Sequence, residues 1–300
     1  METKVSTSHP EGAQKVIAPI VVGVDTRGRS TSAVVWAAEE ADRTGIPLRL
    51  VSVHEGDSDR EDPQSTHGLA VLARRLALSD VSYLAVSGNP TDVLLAEAGR
   101  ASLLVVGRRG RSGAQRLMLG STSLAVSGRS PVPVVVVPEP WIQPSLSSAP
   151  VVVGVTAPDL TNARLTKPLE QQGAGREAAV LAYAFERASR LRVPLLVVSA
   201  WEVPPLQSWS PADVAAWRER YAEALEGLVA AWRERYSDVE VVARVVAEAP
   251  GQAVVDASVV CQLIVVGRQL RRQLGRLTFG STTGSVLDRA NRPVAVVPVP

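Results

Sequence analysis

Short Val-rich runs punctuate this 300-residue chain, and longer amphipathic stretches separate them. IVVGVD (20–25), IPLRLVSV (46–53), LLVVG (103–107) and PVPVVVVP (131–138) are almost continuously apolar. Such runs, short and rich in β-branched residues, predict strands buried on both faces. SAVVWAAEEADRTG (32–45) instead carries its apolar residues at helical spacing, in helix-forming company. Strands that alternate with helices predict parallel pairing through crossovers, and hence a doubly wound α/β sheet.

The order then repeats. VVVGVT (151–156) matches the first run, VPLLVVSA (193–200) the second and LIVVGRQL (263–270) the third. GSTTGSVLDRANRPVAVVP (280–298) matches GSTSLAVSGRSPVPVVVVP (120–138), and REAAVLAYAFERASRLR is the partner of the first helix. Four matched blocks in one order predict duplication of a whole domain, since the period is too long for a solenoid. The expected division is a disordered tail at 1–15, a first domain at 16–140, a Pro/Ser linker at 141–149 and a second domain at 150–300. The second copy is longer. Gly23 to Pro47 spans 24 residues against 40 from Gly154 to Pro194, and Pro47 to Gly107 spans 60 against 73 from Pro194 to Gly267. The extra length predicts insertions near 157–178 and 203–236, the latter lengthening a helix at PADVAAWRERYAEALEGLVAAWRERY. There Trp217, Tyr221, Leu225, Leu228 and Trp232 recur at spacings of three and four, a stripe expected to pack on the sheet.

Composition narrows the function classes. A net charge of +2 gives no electrostatic case for a nucleic-acid or membrane partner. Cys261, the only cysteine, begins an apolar run and is expected to be a buried, inert thiol. His9, His54 and His67 show no metal-ligand spacing, and the last two are expected as solvated loop residues. The polar start of the chain lacks an apolar signal region, and the longest apolar runs are too short to span a bilayer, so a cytoplasmic location is expected.

The chemistry concentrates in a glycine frame. Residues 107–122 read GRRGRSGAQRLMLGST, with Gly107 and Gly120 thirteen positions apart, and 267–282 read GRQLRRQLGRLTFGST with the same outer spacing. A buried strand that ends at a glycine loop and leads into a helix is where open α/β sheets bind ligands. Glycines let backbone amides approach an anion, and the helix start at Ser121 and Thr122 favours phosphate. Arg108, Arg109 and Arg111 add charged donors in the loop that also holds Ser112 and Gly113. The frame lacks the Gly-Lys-Ser/Thr of a Walker loop, and no nucleophile–base pair or metal cluster accompanies it.

Together these segments resemble the universal stress proteins in their tandem two-domain form. Gly107, Gly110, Gly120 and Ser121 match the G-x2-G-x9-G-S/T frame of the ATP-binding branch. VVGVD (21–25), WAAEEA (36–41), SGNPTDVLLAEA (87–98) and PVPVVVVP (131–138) also match, and the resemblance covers nearly all of 16–300. It implies two Rossmann-like domains of the adenine nucleotide alpha hydrolase type, each a five-stranded, mainly parallel sheet flanked by helices. It implies ATP as ligand, optionally with Mg²⁺, held by Gly23, Val24 and Asp25 at the first strand end, by Val53 beside the adenine, and by the frame itself. Weaker second-domain candidates are Gly154, Ala200, Gly267, Gly280, Ser281 and Thr282. There Thr156 replaces Asp25 and Leu270 replaces Gly110, so the second site is expected to bind nucleotide weakly or not at all. The implied function is a non-catalytic, nucleotide-dependent stress regulator. A slow ATPase or nucleotidyl transferase and a nucleotide-free scaffold are the alternatives. The resemblance also implies pairing through the terminal strands, within the chain or as a homodimer.

Overall fold

The computed structural model describes residues 17–25, 30–54, 63–76, 78–108, 119–144, 146, 148–156, 174–200, 210–273 and 276–299. The expected tail, most of the first insertion and the loop from Arg109 to Gly113 lie outside the described residues. The chain divides into two compact units, one ending at Ile142 and the other beginning at Gln143.

In the first unit the strands are β1 (Ile20–Gly23), β2 (Leu48–His54), β3 (Val81–Ser87), β4 (Leu103–Arg108) and β5 (Val134–Pro138). They pair in parallel in the order β3-β2-β1-β4-β5. The helices are α1 (Thr31–Thr44), α2 (Pro63–Arg75), α3 (Pro90–Ala98) and α4 (Ser121–Arg129). The Val runs form the core as their pattern predicts: Val21, Val22, Leu104, Val105 and Val135 are fully buried. α3 starts where its sequence signals a start, with Pro90 in the first turn and the Asn89 carboxamide oxygen accepting from the Thr91 and Asp92 amides. Two expectations change here. His54 closes β2 and is half-buried, and His67 stands exposed on α2, so neither is a loop histidine. Trp141, expected in the linker, donates its backbone N–H to the Ser32 hydroxyl, which itself donates to Glu139. That contact ties the start of the expected linker to α1.

The second unit repeats the plan with β6 (Val151–Val155), β7 (Leu195–Ala200), β8 (Val241–Val246), β9 (Leu263–Gly267) and β12 (Val294–Val297), ordered β8-β7-β6-β9-β12 and parallel throughout. Its helices are α5 (Ala174–Leu191), α6 (Pro211–Arg235), α7 (Pro250–Ala257) and α8 (Ser281–Arg289). Between β9 and α8 a hairpin, β10 (Leu270–Gln273) and β11 (Arg276–Phe279), forms a separate two-stranded sheet. α6 is 25 residues long and buries Tyr221, Leu225 and Val229, while Phe185 of α5 stacks on Trp232 at 5.8 Å. The aromatic stripe therefore packs inward, as its spacing predicts. Cys261 is fully buried, and burial pushes its thiol up to about 12.

The two copies of the first helix end differently. α1 stops at Gly45, left-handed at φ 66°, whose N–H donates to the Ala41 carbonyl. The matching position, two residues before the equivalent proline, is Arg192, at φ 54°. A Cβ in that region is costly, by about 1–2 kcal/mol per residue. Arg192→Gly is expected to stabilise the protein by about 1 kcal/mol. Chemical denaturation checks this, and an unchanged or lowered midpoint would show that the Arg192 side chain offsets its backbone cost.

Candidate functional site

In both units the first strand lies between the second and the fourth, so connections leave it in opposite directions and open a crevice at the carboxyl ends of two adjacent strands. In the first unit β1 ends at Gly23, followed by Val24 and Asp25, beside the end of β4 at Gly107 and Arg108. Val24 donates its N–H to Val51, which fixes the outgoing chain against β2. Val53 lies near the end of β2, paired in register with Val86. Arg108 is a strand residue opposite Pro138 and only 3% exposed, so it belongs to the wall of the unit.

α4 starts at Ser121 as expected, and its N-cap is Gly120, which brings no side-chain oxygen to the first-turn amides. Ser121 and Thr122 already belong to the helix. Ser123 instead donates its hydroxyl to the Gly107 carbonyl at 2.8 Å, locking the helix start to the strand end. The second unit repeats this lock through Thr283 and the Gly267 carbonyl at 2.9 Å, and its N-cap is Gly280. The lock was not anticipated, although a hydroxyl residue stands three positions after the last glycine of both frames.

The second unit contains a formed cleft of 270 Å³ at its crevice. Gly154, Ala200, Gly267, Ser281 and Thr282, five of the six second-domain candidates, line it. The sixth, Gly280, sits under the Gln269 side chain: a Cβ there would lie 2.6 Å from Oε1. Gly154 has a packing reason as well, because an added Cβ would meet Val254 of α7 at 2.8 Å. Leu270, which stands where the first copy has Gly110, pairs with Phe279 in the β10–β11 hairpin, a conformation in which a branched side chain is at home.

Arg176 and Glu177, at the start of α5, also line the cleft, and no sequence motif marks them. The Thr156 backbone lies near enough to the Glu177 carboxyl to favour its charged form. In the first unit the Asp25 amide donates to the Ser30 hydroxyl at 2.8 Å. Ser30 and Glu177 each stand seventeen residues before the equivalent prolines, Pro47 and Pro194, so they are matched positions. Burial pushes the Glu177 carboxyl up to about 7, against the lowering effects of the Thr156 amide and the Arg176 charge. At the end of β9, burial lowers the Arg268 guanidinium.

A carboxyl raised in the folded state binds its proton more tightly there than in the unfolded chain. Its contribution to stability is complete below about pH 4.5 and is lost as pH rises through about 7. Glu177→Gln keeps an acceptor beside the Thr156 backbone and removes the charge. The variant is expected to match the parent near pH 4.5 and to exceed it above pH 7 by on the order of 2 kcal/mol. Urea midpoints across this range check it, and parallel profiles would refute the assignment.

Comparison with known proteins agrees with this architecture. The model of the universal stress protein family matches residues 17–138 and again 174–298. Universal stress protein Rv2005c of Mycobacterium tuberculosis is 29% identical over 298 residues, covering 92% of this chain and 96% of its own. Universal stress protein Rv2623 of the same organism is 29% identical over 299 residues, covering 92% and 95%. Among solved structures, a universal stress protein from Archaeoglobus fulgidus aligns with a TM-score of 0.64 at 17% identity, over 94% of this chain and 98% of its own, a likeness of fold. With two matches that span most of its length, the chain belongs to the universal stress protein family.

Proposed function

We propose that the protein is a stress-response regulator that binds ATP, with Mg²⁺ as an optional companion, and acts through binding rather than turnover. The observation that carries this reading is the crevice of the first unit, where the chain after β1, the end of β4 at Gly107 and the start of α4 meet, with Ser123 tying the last two together. A helix start capped by Gly120 leaves its first-turn amides to an anion rather than to a cap side chain. The sequence from Gly107 to Gly113 is rich in glycine and arginine.

In this reading the first unit holds the triphosphate. The second is poorer for that ligand, because the segment matching the phosphate loop spends its backbone groups on the pairing of β10 with β11. Asp25 and the glycine frame bring no nucleophile–base pair, which supports regulation over catalysis. A cytoplasmic location and association through the terminal strands belong to the same proposal.

Denaturing the purified protein and weighing the released nucleotide is expected to give one ATP per chain. Two per chain, or none, would overturn the reading. Gly110→Leu is expected to abolish retention, and Asp25→Ala to weaken ATP by about tenfold or more, roughly 1.4 kcal/mol, in calorimetric titration. Turnover well above background that Asp25→Asn removes would establish the ATPase alternative instead.

A further inference from the structure

The first turn of α1 is fastened from two directions. Ser30 is the N-cap of this helix, yet its hydroxyl makes no cap bond. It accepts instead from the Asp25 amide at 2.8 Å and so holds the chain that leaves β1. The cap falls to Glu139, 107 residues after Ser32, where one carboxylate oxygen accepts from the Ser32 amide at 2.9 Å. The other oxygen accepts from the Ser32 hydroxyl at 2.9 Å, and that hydroxyl accepts from the Trp141 amide at 2.9 Å. Ser30 and Ser32 are both buried. One helical turn thus joins Asp25, at the crevice, to the segment that leaves the unit after β5.

The second unit serves as a control. Pro47 matches Pro194 and Pro138 matches Pro298, so Ala179 stands in the place of Ser32 and Val299 in the place of Glu139. Both members of the latch are absent together, and the strands of the two units still pair in the same order. The fold therefore does not need the latch. Closure is also finely balanced. The Trp141 indole N–H is buried and finds no hydrogen-bond partner among the described residues. A buried, unsatisfied donor opposes the closed position, while the bonds of Ser32 to Glu139 and Trp141 favour it. An equilibrium of that kind responds to any ligand that prefers one of its states.

We propose that Ser30, Ser32, Glu139 and Trp141 form a strap that couples the first crevice to the segment leaving the unit. A ligand that orders Asp25 steadies the first turn of α1 and closes Trp141 onto it. By linkage, the closed strap strengthens ligand binding by the same factor. Glu139 is a positioning residue for Asp25, acting through Ser32 and Ser30. ATP as the ligand rests on the nucleotide reading of the first unit; the coupling of Asp25 to Trp141 does not.

Amide hydrogen exchange of the full chain, resolved at Asp25 and Trp141, tests the coupling first without ligand. Ser32→Ala/Glu139→Val copies the second unit at both positions, and thermal melting shows that it is folded. It is expected to speed exchange at Asp25 by about fivefold or more, the lower end of typical coupling between sites. In the reverse direction, Ser30→Ala is expected to speed exchange at Trp141. Faster exchange confined to residues 31–34 of the double variant would reduce Glu139 to a helix cap and overturn the proposal. Saturating ATP is expected to slow exchange at both amides in the parent and at Asp25 alone in the double variant. The double variant is also expected to bind ATP about fivefold or more weakly. Protection of Asp25 with Trp141 unchanged in the parent overturns the proposal as well. If ATP protects neither amide while the ligand-free variants behave as expected, the ATP reading falls and the coupling stands.

Discussion

The constraint behind the architecture is that valine-rich central strands must be covered on both faces. β1 and β4 in one unit, and β6 and β9 in the other, have no polar face to offer water. Parallel pairing with helical crossovers satisfies that demand. It also forces every strand to end at the same edge of its sheet, where the following helix or loop begins. The crevice is thus a by-product of burying the core. Each unit then pins the following helix to the strand end with one hydroxyl, Ser123 or Thr283, bonded to the carbonyl of the strand-end glycine.

The features legible in the sequence were those that depend on local pattern. The Val runs became strands, the Trp217–Trp232 stripe became the buried face of α6, and the second copy reproduced the strand order of the first. The features that escaped depend on partners distant in the chain. Leu270 looked like a defect in a glycine loop because its partner, Phe279, stands nine residues on and only pairing reveals a strand. Glu177 escaped because the insertion after β6 breaks the register between the repeats there. Counting back from Pro194 restores that register and sets Glu177 opposite Ser30. The same count exposes Arg192 as the counterpart of Gly45, a position whose left-handed backbone no local pattern announces.

Duplication makes the two crevices mutual controls, because the backbone plan is shared and the chemistry is not. The first unit has its acid after the strand, Asp25, and the second has one at the matching helix start, Glu177, where burial raises its pKa to about 7. Holding a charge there opposes folding as pH rises, while the serine at the matching position of the other unit carries no such cost. The hairpin sets the second unit apart as well: the stretch that begins where the first copy has Gly110 pairs with itself as β10 and β11, while Glu177 remains in the lining of the cleft.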